Sequence, residues 1–289
     1  MDFTKIKLKS INERKSKVFI KDFKDPKKDK KFIVNKELSE LVNSIKTTKE
    51  NNKEIILMMG AHSIKLGLSL YLIDLMKKNY ITHIAMNGAT SIHDFEITFI
   101  GETSEYVEET IKDGSFGMCK DTSYINEIIN KGKEEGYGEI LGKNLSNGTF
   151  IFEDYGLLSQ AYKYDIPSTV HIAIGTDINH MYTNFNPEKV GRLTHNDFKK
   201  FTKKVSNLEG GVIMNLGSAV IMPEVFLKSL SIARNLGYKV KNFTAANFDM
   251  IEHYRPKVNV LERTTKGKKL NIIERHEDSI PTLHYLLTK

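Results

Sequence analysis

The sequence contains one cysteine, no tryptophan, six prolines and no long apolar run. The single cysteine, Cys119, excludes an internal disulfide and a cysteine-based zinc cluster within one chain. No apolar stretch approaches the ~18 residues that a membrane-crossing helix needs. The N-terminus also lacks the apolar segment of a secretory signal. These absences predict a cytoplasmic protein that has no membrane partner.

Positive charge is concentrated at one end of the chain. The net charge is +7, and residues 1–53 carry 16 Lys and Arg against 8 Asp and Glu. Such an arm can bind nucleic acid or an anionic surface. Here the signs alternate in "KDFKDPKKDKK", and no recognised nucleic-acid module follows. We therefore expect a basic arm and helix over residues 1–50, no nucleic-acid partner, and a single domain over residues 51–289.

Apolar runs alternate with amphipathic segments along most of the chain, of which 40% is hydrophobic. The short runs predict buried strands, and the segments between them have helical apolar spacing. This alternation predicts an α/β fold, Rossmann-like, with a mainly parallel sheet and helices on both faces. Strands are predicted over residues 53–60, 81–88, 168–177, 211–217 and 241–249. Helices are predicted over residues 36–48, 63–79, 104–114, 195–210 and 224–237, and 148–156 is either a strand or a helix entry.

Parallel sheets bind ligands beyond the carboxyl ends of their strands, so the loops after the predicted strands are the candidate sites. In the first, "GAHSIKLG", Gly60, Ala61, His62 and Ser63 begin a predicted helix. Backbone N–H groups at a helix start favour a phosphate. The segment matches neither the GxGxxG fingerprint nor the P-loop spacing, and an ordinary strand-to-helix turn is the alternative interpretation.

The loop "NGATSIHDFEI" (87–97) concentrates polar residues after the second predicted strand. His93 is a candidate proton carrier or polarising donor, with Asp94 or Glu96 to orient it or to bind a cation. The alternative interpretation is a helix start, in which Ser91 is the N-cap and Asp94 occupies the third helical position. The two interpretations are compatible.

The loop "GTDINH" (175–180) places Thr176, Asp177 and His180 after a strand. Asp177 suits ribose hydroxyls or an amine, and His180 is a second acid–base candidate. Helix caps use Thr and Asp as well, so the spacing alone does not separate a site from a cap.

The loop "NFDMIEHYRP" (247–256) holds Asp249, Glu252, His253 and Arg255. Carboxylates in a pocket suit a cationic substrate or sugar hydroxyls, and Arg255 suits a phosphate. A solvated, charged helix start is the alternative. The histidines of the chain form no helix-based metal pair, so no metal is expected.

The turn "NLGSAVIMPEVF" (215–226) follows the fourth predicted strand. Gly217 and Ser218 allow a ligand to approach the backbone closely. The side chain that such a turn aims at a ligand is Ile221 or Met222, and neither can act as an acid, a base or a nucleophile.

The order of these loops resembles that of the deoxyhypusine synthase family, over roughly residues 50–289. "GAHSIKLGLS" resembles the family's nucleotide loop, and "NGATSIHDF" is similar to its "TAGGVEEDF". "GTDINHMYTNFNP" resembles its "TDGS" segment and a later stretch that ends in Asn-Pro, with His180 nearest to the catalytic histidine. "GGVIMNLGSAVIMPEVF" is similar to "GMIILGGGVVKHH", and "AANFDMIEHYRP" to "AQEFDGSDSGARP".

This resemblance implies a Rossmann-like domain that binds NAD at a subunit interface of a homotetramer. The family transfers an aminobutyl group from spermidine to a protein lysine. The implied cofactor contacts come from the strand-end residues of all five loops. They are Gly60, Ala61, His62, Ser63, Asn87, Gly88, Ala89, Thr176, Asp177, Gly217, Ser218, Ala246, Asn247 and Asp249.

The sequence departs from this family at its reactive positions. The lysine that forms an imine in the family falls on Met222, and a thioether cannot form an imine. Ile92 and His93 replace the acidic pair that contacts the polyamine, and the "GSDSG" loop is shortened to "MIEHY". Lys65 is then a cation beside phosphate or a new imine-forming residue. Deoxyhypusine synthesis itself is not expected.

We therefore predict an NAD-dependent enzyme that acts on a small amine- or hydroxyl-bearing substrate. Two alternatives stay open: amine group transfer or cyclodeamination with NAD recycled in each turnover, and a non-catalytic nucleotide-binding or assembly protein. The predicted catalytic residues are His93, His180, Asp94 and Lys65. The predicted substrate contacts are Glu96, Glu252, His253 and Arg255.

Overall fold

The computed structural model describes residues 2–28, 32 and 34–289, so the end of the charged run at 21–31 lies outside the described residues. The strands are, in chain order, β1 (Ser16–Phe19), β2 (Ile55–Met59), β3 (His83–Asn87), β4 (Glu102–Glu105), β5 (Ser168–His171), β6 (Val212–Leu216), β7 (Thr244–Asp249) and β8 (Lys269–Ile273). Six of them form one sheet in which all neighbouring strands are parallel. The predicted Rossmann-like α/β fold is confirmed.

The helices account for most of the remaining chain. They are α1 (Lys36–Glu50), α2 (His62–Lys65), α3 (Ser69–Lys77), α4 (Gly88–Ile100), α5 (Val107–Thr110), α6 (Tyr124–Asn130), α7 (Tyr137–Leu145), α8 (Leu157–Lys163), α9 (Pro187–Ser206), α10 (Ile221–Asn235), α11 (Tyr254–Pro256) and α12 (His276–Thr288). A π-helix spans Lys257–Glu262, and 3-10 helices span Phe3–Lys5, Ile11–Glu13, Ile20–Asp22, Glu153–Tyr155 and Ile178–Met181.

The strands bury both of their faces. Successive side chains of a strand point to opposite faces, and in β2 Leu57 joins one core cluster while its neighbours Ile56 and Met58 join the other. The first cluster also holds the apolar stripe of α1, and the second holds apolar side chains of α9 and α10. Helices therefore cover both faces of the sheet, and this explains why the strands are continuous apolar runs.

The strand order is β5-β3-β2-β6-β7-β8. The chain builds outward from β2 to β5, returns to the centre at β6 and builds outward in the other direction to β8. This is the doubly wound order, and it reverses between β2 and β6. Ligands of open α/β sheets bind outside the carboxyl ends of the strands at this reversal. The topology therefore places a candidate crevice above Gly60, which follows β2, and Gly217, which follows β6.

Three predicted helices differ from the structure, and one of them, expected over 195–210, begins earlier, as α9 at Pro187. The helix expected over 63–79 is interrupted, because Gly67 adopts a left-handed φ of +69° between α2 and α3. The arm packs on this break: Lys24 N–H donates to the Gly67 carbonyl at 3.0 Å, and a Cβ on Gly67 would stand 2.9 Å from the Cα of Phe23. The helix expected over 104–114 is reduced to α5, since its first residues belong to β4.

The described part of the N-terminal arm contacts the rest of the chain. β1 pairs antiparallel with β4, with Val18 opposite Thr103. The N–H of Ile11 donates to Asp121 at 2.7 Å, and Arg14 forms an ion pair with Glu96. These contacts bring a segment with no apolar periodicity against the sheet edge where the candidate loops lie.

Candidate functional site

The two loops at the strand reversal meet through bare backbone. The N–H of Gly60 donates to the Leu216 carbonyl at 2.9 Å. A Cβ on Gly60 would stand 2.3 Å from the carbonyl oxygen of Gly217. Gly217 itself has a φ of +61°, and a Cβ there would stand 2.7 Å from the ring of His276. Only glycine fits at these two positions, so the main chains of the two loops pack directly together at the floor of the crevice.

Polar groups without partners surround this floor. The hydroxyl of Ser63 and the Nδ1 of His276 are buried and have no hydrogen-bond partner among the described residues. His62 and His276 pack edge to face, with ring centroids 5.4 Å apart. Burial lowers the pKa of His276. α2 is a single turn, so its dipole is small, and the phosphate site expected at a helix start retains only its backbone and side-chain groups.

A ladder of asparagines supports the Gly217 turn from below. Asn215, Asn247 and Asn271 lie side by side on three neighbouring strands. Their side-chain amides are linked at 2.8 and 3.0 Å. Asn215 also donates to the Ser218 carbonyl at 3.0 Å, and the Ser218 hydroxyl accepts the N–H of Met222 at 3.2 Å. Asn247 and Ser218 are thus engaged in holding the turn.

A cavity of about 180 Å³ lies beside the start of α4. It brings together several of the predicted site residues from loops that are far apart in sequence. Of those, His93, Lys65, Glu96, Ala89, Thr176 and Asp177 line it, together with Arg14, Ile92, Ser104, Glu105, Val107, Phe116 and Ile178.

His93 is held in this cavity by hydrogen bonds. Its Nδ1 lies 2.7 Å from the hydroxyl of Thr103, and that hydroxyl lies 2.5 Å from Glu96 Oε2. Burial lowers the pKa of His93 to about 4, so the ring is neutral at physiological pH. Burial would raise the pKa of Glu96, but Arg14 and the hydrogen bonds outweigh it and hold that pKa below its usual range. Glu96 therefore supports His93 through Thr103, and its predicted substrate contact stays a prediction.

Asp177 and His180 form a capped turn beside the cavity. The Nδ1 of His180 accepts the N–H groups of Gly175 at 3.0 Å and Asp177 at 3.3 Å. Its Nε2 lies 3.8 Å from Asp177 Oδ2, and both atoms are buried without partners among the described residues. Burial raises the pKa of Asp177 to about 6. A Cβ on Gly88 would stand 1.9 Å from Asp177 Oδ2, so this glycine admits the carboxylate to the start of α4.

Asp94 lies outside the cavity, contrary to its predicted catalytic position. Its two carboxylate oxygens accept the backbone N–H groups of Leu157 at 2.6 Å and Leu158 at 2.9 Å, at the start of α8. The side chain is fully buried. The expected cap at Ser91 is also wrong, because α4 begins at Gly88 and its N-cap is Asn87, which accepts the N–H of Thr90.

Two more predicted positions are corrected by burial. Met222, which the turn was expected to aim at a ligand, is instead fully buried in the second core cluster. Val220 is the exposed apolar residue of that turn. Ala246 also lies in the core, in the first cluster.

The charged residues of the 247–256 loop are paired with one another or with neighbouring side chains, and they lie outside the His93 cavity. Glu252 contacts Lys257 at 2.7 Å, Arg255 contacts Glu224 at 3.2 Å, and His253 Nε2 lies 3.8 Å from Asp249. These side chains occupy the carboxyl end of β7, on the opposite side of the strand reversal from His93.

Three residues that were not predicted as site residues all donate to Glu96: Arg14, Thr103 and Thr122. Arg14 stands in a charged arm, and the two threonines stand in segments with no motif, so no local signal marks them.

Within the described residues, no three His, Cys, Asp or Glu side chains are grouped as metal ligands. No helix in this part of the chain is long and apolar enough to cross a membrane.

No protein-family model matches the sequence, and neither does any of the curated proteins. Several solved structures share the fold. AgrE, in its ternary complex with ornithine and NAD+, is 12% identical, with a TM-score of 0.54 over 90% of this chain and 34% of AgrE. ArgZ, an arginine dihydrolase from the ornithine–ammonia cycle in cyanobacteria, is 15% identical, with a TM-score of 0.55 over 90% of this chain and 33% of ArgZ.

A conserved putative LOR/SDH protein from Methanococcus maripaludis S2 is 16% identical, with a TM-score of 0.53 over 89% of this chain and 69% of that protein. At these identities the likeness shows the fold alone, and the chain spans about a third of AgrE and ArgZ. A putative deoxyhypusine synthase from Entamoeba histolytica matches over 86% of both chains, at 10% identity and a TM-score of 0.49. This match is too weak to show a relationship, so membership of the deoxyhypusine synthase family stays a prediction.

Proposed function

We propose that this protein is an NAD-dependent enzyme that acts on a small amine- or hydroxyl-bearing substrate. The observation that carries the proposal is the His93 cavity, in which a neutral imidazole stands with Lys65 and Asp177 where the loops after β2, β3 and β5 meet. Perturbed ionisable groups in a cleft at this place of the fold are typical of an active site.

The residues of the crevice fit a dinucleotide. Gly217 is only half-buried and places main chain beside the crevice, and the Ser63 hydroxyl and His276 Nδ1 are buried polar groups that lack partners among the described residues. NAD, when bound there, supplies a hydride acceptor. The presence of NAD in the AgrE complex supports the same cofactor for this fold.

The chain's own residues would orient the substrate and move its proton. His93 is neutral and accepts the proton of the substrate's amine or hydroxyl. Asp177, whose pKa is raised to about 6, is available to hold an amine or ribose hydroxyls. The partial burial of Lys65 and the charge of Lys17 lower the pKa of Lys65, which suits an imine-forming amine. A cation beside phosphate is the other role proposed for Lys65.

Thermal melting tests the cofactor. NAD must raise the melting temperature of the full-length protein, while AMP and nicotinamide alone must raise it less, since a ligand that binds only the folded state stabilises it. Absence of a shift at saturating NAD and NADP overturns the cofactor assignment and favours the non-catalytic alternative. NADH absorbance during turnover of an amine and alcohol panel then separates net oxidation, which accumulates NADH, from recycling, which does not.

The expected homotetramer is retained as a proposal. Exposed apolar side chains follow the carboxyl ends of three neighbouring strands, beside the crevice, where a second subunit would cover them. They are Val220, Met250, Ile251, Tyr254 and Ile273. Light scattering with size-exclusion chromatography tests this proposal, and a monomer at micromolar concentration contradicts it.

A further inference from the structure

The ionisation of Glu96 follows from the groups that face it. Its side chain is 2% exposed. Oε1 lies 2.6 Å from Arg14 Nη1 and 2.8 Å from the hydroxyl of Thr122, while Oε2 lies 3.2 Å from Arg14 Nη2 and 2.5 Å from the hydroxyl of Thr103. A carboxylate held by a guanidinium fork and two hydroxyls is charged and accepts every one of these bonds.

The location of the His93 proton follows from the next bond. The Thr103 hydroxyl has one proton, which it donates to Glu96. Its oxygen can then only accept from the Nδ1 of His93, 2.7 Å away. A neutral imidazole has one N–H, so the proton lies on Nδ1 and the lone pair on Nε2. Among the described residues, nothing forms a hydrogen bond to that Nε2.

We propose that Arg14, Glu96 and Thr103 form a positioning relay that fixes His93 in its Nδ1–H tautomer and presents Nε2 as the proton-accepting atom. His93 and Glu96 are three residues apart on α4 and therefore share one face of it. The arm supplies Arg14 and also pairs with β4, where Thr103 lies opposite Val18. The role of Nε2 in accepting the substrate's proton rests on the proposed function, whereas the assignment of the Nδ1–H tautomer does not.

Other charged groups around the ring leave this assignment in place. Lys65 on α2 and Arg14 on the arm both lower the pKa of His93, while Glu96 raises it, and burial dominates. Glu105 on β4 accepts the N–H of Gly117 at 2.9 Å. Asp177, after β5, lines the same cavity, and its Oδ2 lies 3.8 Å from His180 Nε2. The ring is therefore neutral, and its tautomer is decided by the Thr103 hydroxyl.

Nitrogen NMR of the full-length, ligand-free protein with 15N-labelled histidine tests the relay between pH 5.5 and 8. The pair of ring-nitrogen signals that disappears in His93→Gln is assigned to His93. The wild type must show a protonated Nδ1 and an unprotonated Nε2 throughout. Thr103→Val must move the ring to a mixture dominated by Nε2–H, the form that free histidine prefers, and Thr103→Ser must restore the wild-type spectrum.

Thr122→Val is the matched control, because it removes a hydroxyl from the same carboxylate without touching His93. It must leave the His93 signals unchanged. An Nε2–H ring in the wild type overturns the relay, and so does a Thr103→Val ring identical to the wild type. If Thr103→Val does not fold, the relay is tested by the tautomer of the wild type and by the Arg14→Gln variant.

Arg14→Gln tests the first member of the relay. Without the guanidinium the pKa of Glu96 rises, and below that pKa a protonated Glu96 donates to Thr103 and reverses the chain. The His93 tautomer must therefore become pH-dependent, with Nε2–H at low pH and Nδ1–H at high pH. A pH-independent Nδ1–H spectrum removes Arg14 from the relay. These spectra are recorded without cofactor or substrate. Failure of the relay, seen by NMR, is therefore distinguishable from failure of the proposed function, seen as absence of the NAD melting shift.

Discussion

A Cβ on Gly60 would stand 2.3 Å from the carbonyl oxygen of Gly217, the residue on the other side of the strand reversal. The two loops are therefore locked together by backbone contact. This contact places the crevice floor where the strand order of the described sheet reverses.

Gly60→Ala should lower the free energy of unfolding by about 1–3 kcal/mol, since the added methyl overpacks a backbone contact. It should also abolish the NAD melting shift. Gly191→Ala is the matched control, because Gly191 lies in α9 with no atom within 4 Å of an added Cβ, and it should gain about 0.5–1 kcal/mol. Urea unfolding measures both, and equal stabilities would refute the tight approach.

Asp94→Ala should lower the free energy of unfolding by about 1–3 kcal/mol, because two buried N–H groups of α8 lose their acceptor. The NAD melting shift should persist, since Asp94 does not reach the cavity. Asp154→Ala, at a side chain that is 81% exposed, should change stability by less than about 0.5 kcal/mol. Loss of the NAD melting shift in a folded Asp94→Ala protein would show that Asp94 contributes to the cofactor site.

Acid should destabilise the protein through two buried histidines. His83 and His171 each place Nε2 3.1 Å from the Thr169 hydroxyl, and burial lowers the pKa of each to about 3. In the unfolded chain these pKa values return to about 6.5. Their contribution is therefore present above pH 6.5 and is lost as pH falls toward 3.

Denaturant unfolding at pH 7 and pH 5 measures this effect. His171→Gln should reduce the stability lost between the two pH values by about 1–2 kcal/mol. His195→Gln, at an exposed position of α9, should leave the loss unchanged. The assignment fails when His171→Gln and the wild type lose the same free energy.

His93→Gln should reduce kcat by about 10²–10⁴-fold with any substrate that the NADH screen identifies, since general acid–base catalysis contributes that much. The NAD melting shift should remain. His180→Gln should instead lower the melting temperature, because the Nδ1 of His180 accepts two backbone N–H groups of its own turn. Unchanged turnover in a folded His93→Gln protein would contradict the proton-transfer assignment.

Much of the fold was predictable because its signals are local. Each predicted strand contains an observed one. At two of the mismatches a distant contact accompanies the difference: the arm at Phe23 packs on the break at Gly67, and β1 pairs with residues of the expected 104–114 helix in β4. The strand β8 and the helix α12 were not predicted.

The candidate site was predictable only in part. His93, Lys65 and Asp177 were singled out because they follow strands, and the structure does bring them to one cavity. Asp94 stands next to His93 in sequence but on another side of α4, where it caps α8. A loop pattern does not show which helical face a carboxylate occupies.

The amino-acid sequence by itself determined the strand–helix alternation and the glycines of the turns, because hydrophobic periodicity and backbone freedom are properties of neighbouring residues. Only the tertiary structure decided which groups surround His93. Arg14 lies 82 residues from Glu96, and Asp177 comes from a different strand end. Such partners are chosen by how the chain packs, since burial and hydrogen-bond geometry depend on atoms that are far apart along the sequence.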